Sequence, residues 1–280
     1  MDEEKLRKLK EYFEGRKDIV MAFIFGSYAK EKQISVSDVD IAIYFKPAGR
    51  ELEWEIKKEY ENENAIWLEI EKIIGRDTDL VILNRASSCL AFEILRTGVP
   101  ILIKDKNLYW RFLLTVSMAA EDFRQIIKDW WQIRERSKSL SKEDERRLMK
   151  IVDFLEREIL EINKFQKITQ KEYEGDSDRR RNLERWVETI VNASIDAAKI
   201  ILASEKEPLP ETYADILSSF KRFDDFPENT AKILGEFAKL RNVLAHEYLD
   251  LRFAKIRKFL DIAEKVYGEF INFVKNKLKI

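Results

Sequence analysis

The chain runs to 280 residues, with 51 Lys and Arg against 52 Asp and Glu and a formal net charge of −1. That length accommodates two ordinary domains, and the balanced charge excludes a global field for gripping a long polyanion, so nucleic acid would need a local patch. A single cysteine excludes an internal disulfide, charges break every apolar run short of a membrane span and no leader opens the chain, so a soluble, cytoplasmic protein with no membrane partner is expected.

Helical spacing of Leu6, Leu9, Tyr12 and Phe13 predicts a helix over Asp2–Gly15. The apolar run Ile19–Phe25 predicts a first strand, followed by a Gly26-Ser27 turn, a short polar helix and a second strand, Asp38–Phe45. Strand side chains alternate faces, so Asp38 and Asp40 project together while Val39, Ile41 and Ile43 bury on the other side. Pro47 and Gly49 end that strand, and a charged helical region spans Glu51–Ile74, stopped by Gly75. Asp77–Leu83 predicts a third strand, Ser87–Arg96 a helix stopped by Gly98, and Val99–Ile103 a last short strand. Cys89 is expected to act as a small buried hydrophobe. Strands alternating with helices imply an α/β layer on one sheet.

Two carboxylates fixed on one strand face are costly unless a cation sits between them, and Mg²⁺ favours hard oxygen ligands. Gly26 lets the backbone approach a ligand, and the N–H groups opening a helix attract phosphate. A phosphate cradle therefore faces a carboxylate pair. Gly26-Ser27, ten residues, then Asp38-x-Asp40 resembles the signature of the nucleotidyltransferase superfamily related to DNA polymerase β, above all its minimal members. Lys30 and Glu31 depart from the Arg-Gly usual there. The resemblance implies a third carboxylate from a neighbouring strand, best supplied by Asp79, with Asp77 of the same parity as runner-up. It further implies ATP with its triphosphate on Gly26 and Ser27, and Mg²⁺ on Asp38, Asp40 and Asp79 as the catalytic carboxylates.

After Lys104 the pattern is helical to the end. Leu108–Arg136 predicts one long aromatic-rich helix, and Ser137–Ser141 a polar break in which Ser141 and Asp144 form a capping-box-like start. Leu148 to Ile162 continues at helical spacing, 167–178 reads as a loop, and Arg179–Ala203 as a further helix. Shorter helices over Ala214–Phe220 and Glu228–His246 precede a final one over about Leu251–Leu278. The expected fold class is α+β: an α/β domain at 1–104, a connecting helix at 105–140 and an all-α bundle at 141–280.

The only histidine lies in Leu240-Arg-Asn-Val-Leu-Ala-His-Glu-Tyr248. Arg241, His246 and Tyr248 resemble the R-x4-H-x-Y motif of HEPN domains, with Asn242 directly after the Arg as is usual there. That resemblance implies an all-helical domain and a metal-independent ribonuclease, in which Arg241 holds a scissile phosphate and His246 moves protons. On an unbroken helix Arg241 and His246 stand roughly 140° apart around the axis, so they do not share a face. Either the helix bends, or two chains complete one site, and a homodimer is expected. Arg179, Arg180, Arg181, Arg252, Lys255, Arg257 and Lys258 offer basic side chains for an RNA substrate.

Minimal nucleotidyltransferases and HEPN domains form a toxin–antitoxin pairing in which the transferase adds AMP to the motif tyrosine and silences the ribonuclease. This chain resembles both partners fused, which implies Tyr248 as the modified residue. A competing expectation is a small-molecule nucleotidyltransferase of the aminoglycoside-modifying type, whose helical domain binds the acceptor and in which Arg241 and His246 are structural. A third is a binding module with decayed sites.

Overall fold

A computed structural model of the chain describes residues 3–28, 38–136, 139–246 and 253–280. The fold is α+β, a mixed sheet with its helices followed by a helical array. It divides into two compact units, Met1–Glu121 and Asp122–Ile280.

In the first unit the sheet comprises β1 (Ile19–Phe25), β2 (Val39–Phe45), β3 (Thr78–Ile82) and β4 (Val99–Ile103), in the order β3-β2-β1-β4. β1 runs antiparallel to β2 and β4, and β2 parallel to β3. Both faces are covered. Ala22, Ile24, Ile41 and Ile43 pack on Leu9 and Phe13 of α1 (Glu3–Gly15) and on Ile66, Ile70 and Ile74 of α2 (Glu63–Ile74). On the opposite face Phe23, Ala42 and Tyr44 meet Ile94 of α3 (Ser88–Thr97) and Phe112 and Val116 of α4 (Lys106–Arg136). Each fully buried large apolar side chain contributes about 1.5–3 kcal/mol, so the two-sided core holds the sheet's frame firmly.

The second unit holds the last turns of α4 with α5 (Lys142–Leu160), α6 (Gln170–Gly175), α7 (Ser177–Ser204), α8 (Tyr213–Ser218), α9 (Glu228–His246) and α10 (Phe253–Leu278). The last turns of α7 are buried all round, from Ala197 to Ser204, as befits a helix surrounded by others. Phe220 is buried among Phe223, Phe226, Phe270 and Phe273, with ring centroids 5.3–5.5 Å away. Among the described residues no helix is long and apolar enough to cross a membrane.

Three expectations need correction. Only Glu63–Ile74 of the charged region is helical. Before it, Glu55 and Asn62 adopt left-handed backbone at φ 51° and 66°, which interrupts any helix, while Leu52 and Trp54 turn inward. The supposed loop 167–178 contains α6, because Thr169 and Glu172 close a reciprocal capping box, and α7 starts at Ser177 under an Asp176 cap. Cys89 is half-buried rather than buried, with its thiol 3.9 Å from the carbonyl of Ala120. The short polar helix expected after Ser27 falls outside the described residues, as does Tyr248.

Candidate functional site

Strand register assembles the carboxylates. Phe25 pairs with Asp40 across β1 and β2, and Asp40 with Asp79 across β2 and β3. Side chains in register on adjacent strands share a face about 4.8 Å apart, so Asp40 and Asp79 stand side by side at the sheet's end. Asp38 precedes β2 by one residue, exposed, on the same parity. Burial raises the Asp40 carboxyl above its usual range, and the charges of Asp79 and Asp38 raise it further. Asp40 thus lies in the field of both neighbouring carboxylates.

Asp77 lies just before β3, and its carbonyl accepts the Val39 N–H at 3.2 Å. Asp79, not Asp77, is the residue in register with Asp40 across β2 and β3.

Gly26 directly follows β1 at φ +71°, and a Cβ there would lie 2.0 Å from Asp40 Oδ2. Only glycine fits this spot, because left-handed backbone and the missing side chain are needed together. The neighbouring Ser27 and Tyr28 are half-buried, and the Tyr28 hydroxyl accepts from Arg76 Nη1 at 2.7 Å, tying this turn to the segment before β3. Neither Tyr28 nor Arg76 belongs to a motif, so the tie leaves no trace in the sequence.

The donor set suits a hard divalent cation: oxygen ligands, concentrated negative charge and a bare glycine alongside. Among the described residues no three His, Cys, Asp or Glu side chains are drawn tightly enough together to hold a metal as they stand.

In the second unit Arg241 and His246 converge within one chain, Arg241 Nη1 lying 3.4 Å from His246 Nε2. This corrects the two alternatives drawn from helix geometry. α9 runs unbroken to His246, and the long Arg side chain reaches along it, so the geometric reason for a second protomer falls away. Both groups meet Asp122 of α4, whose Oδ2 lies 3.3 Å from Arg241 Nη2 and 3.4 Å from His246 Nε2. Asn192 of α7 accepts from Arg241 Nε at 2.7 Å, and the guanidinium carbon sits 4.9 Å from the Tyr213 ring centroid. Arg241 and His246 are only 7% and 5% exposed. Burial lowers the imidazole's proton affinity and Arg241 lowers it further, against smaller opposite effects of Asp122 and Glu188. Burial and the neighbouring guanidinium thus favour the neutral ring.

Asp122, Asn192 and Tyr213 were not foreseen, because they sit on other helices with no motif of their own. Of the basic side chains expected to meet RNA, Arg179, Arg181 and Arg257 are paired with Glu172, Asp178 and Asp261. Arg252 and Tyr248 lie outside the described residues.

Fold and carboxylate site together define a nucleotidyltransferase carrying a helical second unit. Residues 7–107 match the family profile of Polymerase beta, Nucleotidyltransferase, and residues 155–275 that of Ribonuclease HepT-like. A protein of Methanocaldococcus jannaschii provisionally named protein adenylyltransferase is 32% identical over 81 residues, spanning 29% of this chain and 77% of that one. The chain belongs to the polymerase β nucleotidyltransferase family and joins that domain to a HepT-like one. Among solved structures, a toxin–antitoxin with AMP-PNP is 22% identical, covering 46% of this chain and 97% of its own, at a TM-score of 0.36. A mutant MntA-HpeT toxin–antitoxin is 19% identical at the same coverage and TM-score. Likeness at that level is too weak to bear on function.

Proposed function

We propose that the first unit transfers AMP from ATP to a protein tyrosine hydroxyl, that Tyr248 is the acceptor, and that the modification restrains a ribonuclease in the second unit. The observation that carries the transferase is the register of Asp40 with Asp79 beside the Gly26 turn. Asp38, Asp40 and Asp79 would hold Mg²⁺, which when bound supplies charge neutralisation on the triphosphate. Gly26 lets the backbone lie directly against the Asp40 carboxylate, and the turn through Ser27 would orient the phosphates. In the reaction the tyrosine oxygen bonds to the α-phosphorus, the bond to the β-phosphate oxygen breaks, pyrophosphate leaves and the phenol proton is lost. Tyr44, Tyr173, Tyr213 and Tyr267 are buried and the Tyr60 hydroxyl donates to Glu53 at 2.5 Å, while Tyr12, Tyr28 and Tyr109 are half-buried, so the choice of Tyr248 rests on its place in the R-x4-H-x-Y motif. An AMP on Tyr248 would place charge and bulk two residues from His246.

The test is intact mass before and after incubation with ATP and Mg²⁺, followed by peptide mapping. A gain of one adenylyl group at Tyr248 is expected, and none in an Asp38→Ala, Asp40→Ala variant. Label on another residue, or none on a verified unmodified sample, rejects self-modification.

One observation favours a second reading, the small-molecule transferase. Arg241 and His246 are nearly buried and engaged with Asp122 and Asn192, as residues with a purely structural task would be. That reading predicts adenylylation of an added hydroxylated or aminated small molecule and no RNA cleavage by any variant.

A further inference from the structure

One carboxylate oxygen, Asp122 Oδ2, lies within 3.4 Å of both Arg241 Nη2 and His246 Nε2. The nitrogen of the imidazole that faces Asp122 is also the one facing the guanidinium, at 3.4 Å from Arg241 Nη1. An aspartate whose task is to orient a catalytic histidine holds one ring nitrogen and leaves the other for substrate. Here the carboxylate instead stands on the side of the ring where arginine and histidine converge. Carboxylate and phosphodiester oxygens take the same charge-assisted hydrogen bonds from a guanidinium. The remaining reach of Arg241 is also occupied, by the Asn192 amide oxygen at 2.7 Å and the Tyr213 ring. At the edge of this group the Asp122 side chain is 45% exposed, whereas Arg241 and His246 are nearly covered.

We infer that the second unit contains an anion site for a phosphodiester, formed by Arg241 and His246, which the chain's own Asp122 fills as a substitute for the substrate phosphate. This rests on the ribonuclease reading above and adds its regulation. RNA must displace the Asp122 carboxylate, which swings outward into solvent from its half-exposed position. The resting site is therefore closed by a side chain of the same unit, independently of any modification at Tyr248.

The test uses the full chain with neutral variants Asp122→Asn and Asp122→Ser and the charged variant Asp122→Glu. Binding of a short 2′-O-methyl RNA, which cannot be cut, is followed through the proton resonances of the imidazole, unambiguous because the chain has 1 histidine. Cleavage of the matching unmodified RNA is measured in parallel. The neutral variants should bind about tenfold tighter or better and cut correspondingly faster, since removing a competing closed state restores intrinsic affinity. Asp122→Glu should stay slow. Unchanged or weaker binding with unchanged or slower cleavage in folded neutral variants overturns the inference and makes Asp122 a positioning residue. Loss of the fold in both neutral variants also overturns it, because the carboxylate would then be needed for packing. If RNA moves the imidazole resonance in neither wild type nor variants, and none of them cuts, the ribonuclease reading itself fails.

Discussion

At Gly26 two requirements coincide: a backbone at φ +71° and the absence of a Cβ that would fall 2.0 Å from Asp40 Oδ2. Gly26→Ala should therefore cost about 1–2 kcal/mol in backbone strain alone, measurable by urea unfolding. It should also displace the Asp40 carboxylate, so adenylyl transfer should fall further than the stability loss explains. Asp79 offers the converse experiment. Its charge helps raise the Asp40 carboxyl, so folded Asp40 holds its proton more tightly than unfolded Asp40 does. The stability from that extra affinity is complete below the unfolded value of 3.8 and is lost as pH rises through the folded value, leaving repulsion at neutral pH. Asp79→Asn should thus raise the unfolding temperature at pH 7 and flatten its pH dependence, while reducing transfer by about 10²–10³-fold, typical for loss of a group that stabilises reacting charge. A stable but inactive variant would separate the metal-site role from a packing role. A stable and active one would remove Asp79 from the site.

Between elements, charged side chains bridge α4, α5, α7 and α9. Asp122 and Asp129 lie seven residues apart on α4, and their partners Asn192 and Lys199 lie seven apart on α7, the first pair meeting through Arg241. Lys199 is 4% exposed and bonds Asp129 at 2.6 Å, while Arg147 of α5 bonds the same carboxylate at 2.9 Å. Stripping one partner from a buried ion pair costs more than the intact pair contributes, because the remaining charge stays desolvated. Asp129→Ala should destabilise by about 3 kcal/mol, and the double variant with Lys199→Met by less, in a double-mutant cycle of unfolding free energies. Equal losses would indicate that Lys199 finds adequate compensation in Asp196, which it contacts at 2.8 Å.

The contrast between what was and was not legible follows from the same physics. Asp38 and Asp40 could be placed on one face because strand alternation acts over a few residues and a glycine before them leaves a local trace, whereas Asp79 entered only through what the family resemblance implies. Asp122 could not, since α4 also carries Glu121, Asp129 and Glu135 and spacing alone favours none of them. Its significance depends on Arg241, 119 residues away. Glu51 to Asn62 carries helix-compatible charges, but burial of Leu52 and Trp54 and two left-handed residues override that local preference. In the α9 segment, angular separation around the axis misled because it ignores the length of an arginine.

Over the whole molecule, helix and sheet patterns suffice to separate a mixed-sheet unit from a helical one, and the two family matches, 7–107 and 155–275, fall one on each side of the change. Yet the division between compact units falls at Glu121–Asp122, inside the unbroken α4, whose Phe112, Val116 and Ala119 belong to the core of the first unit. Anyone dissecting this protein into parts inherits a dilemma from that one rod. A fragment starting at the polar break near Ser141 looks like a clean helical domain but would carry Arg241 and His246 stripped of Asp122. Such a fragment would report the behaviour of an uncovered cationic pocket, and toxicity or RNA binding seen with it would overstate what the intact chain does at rest.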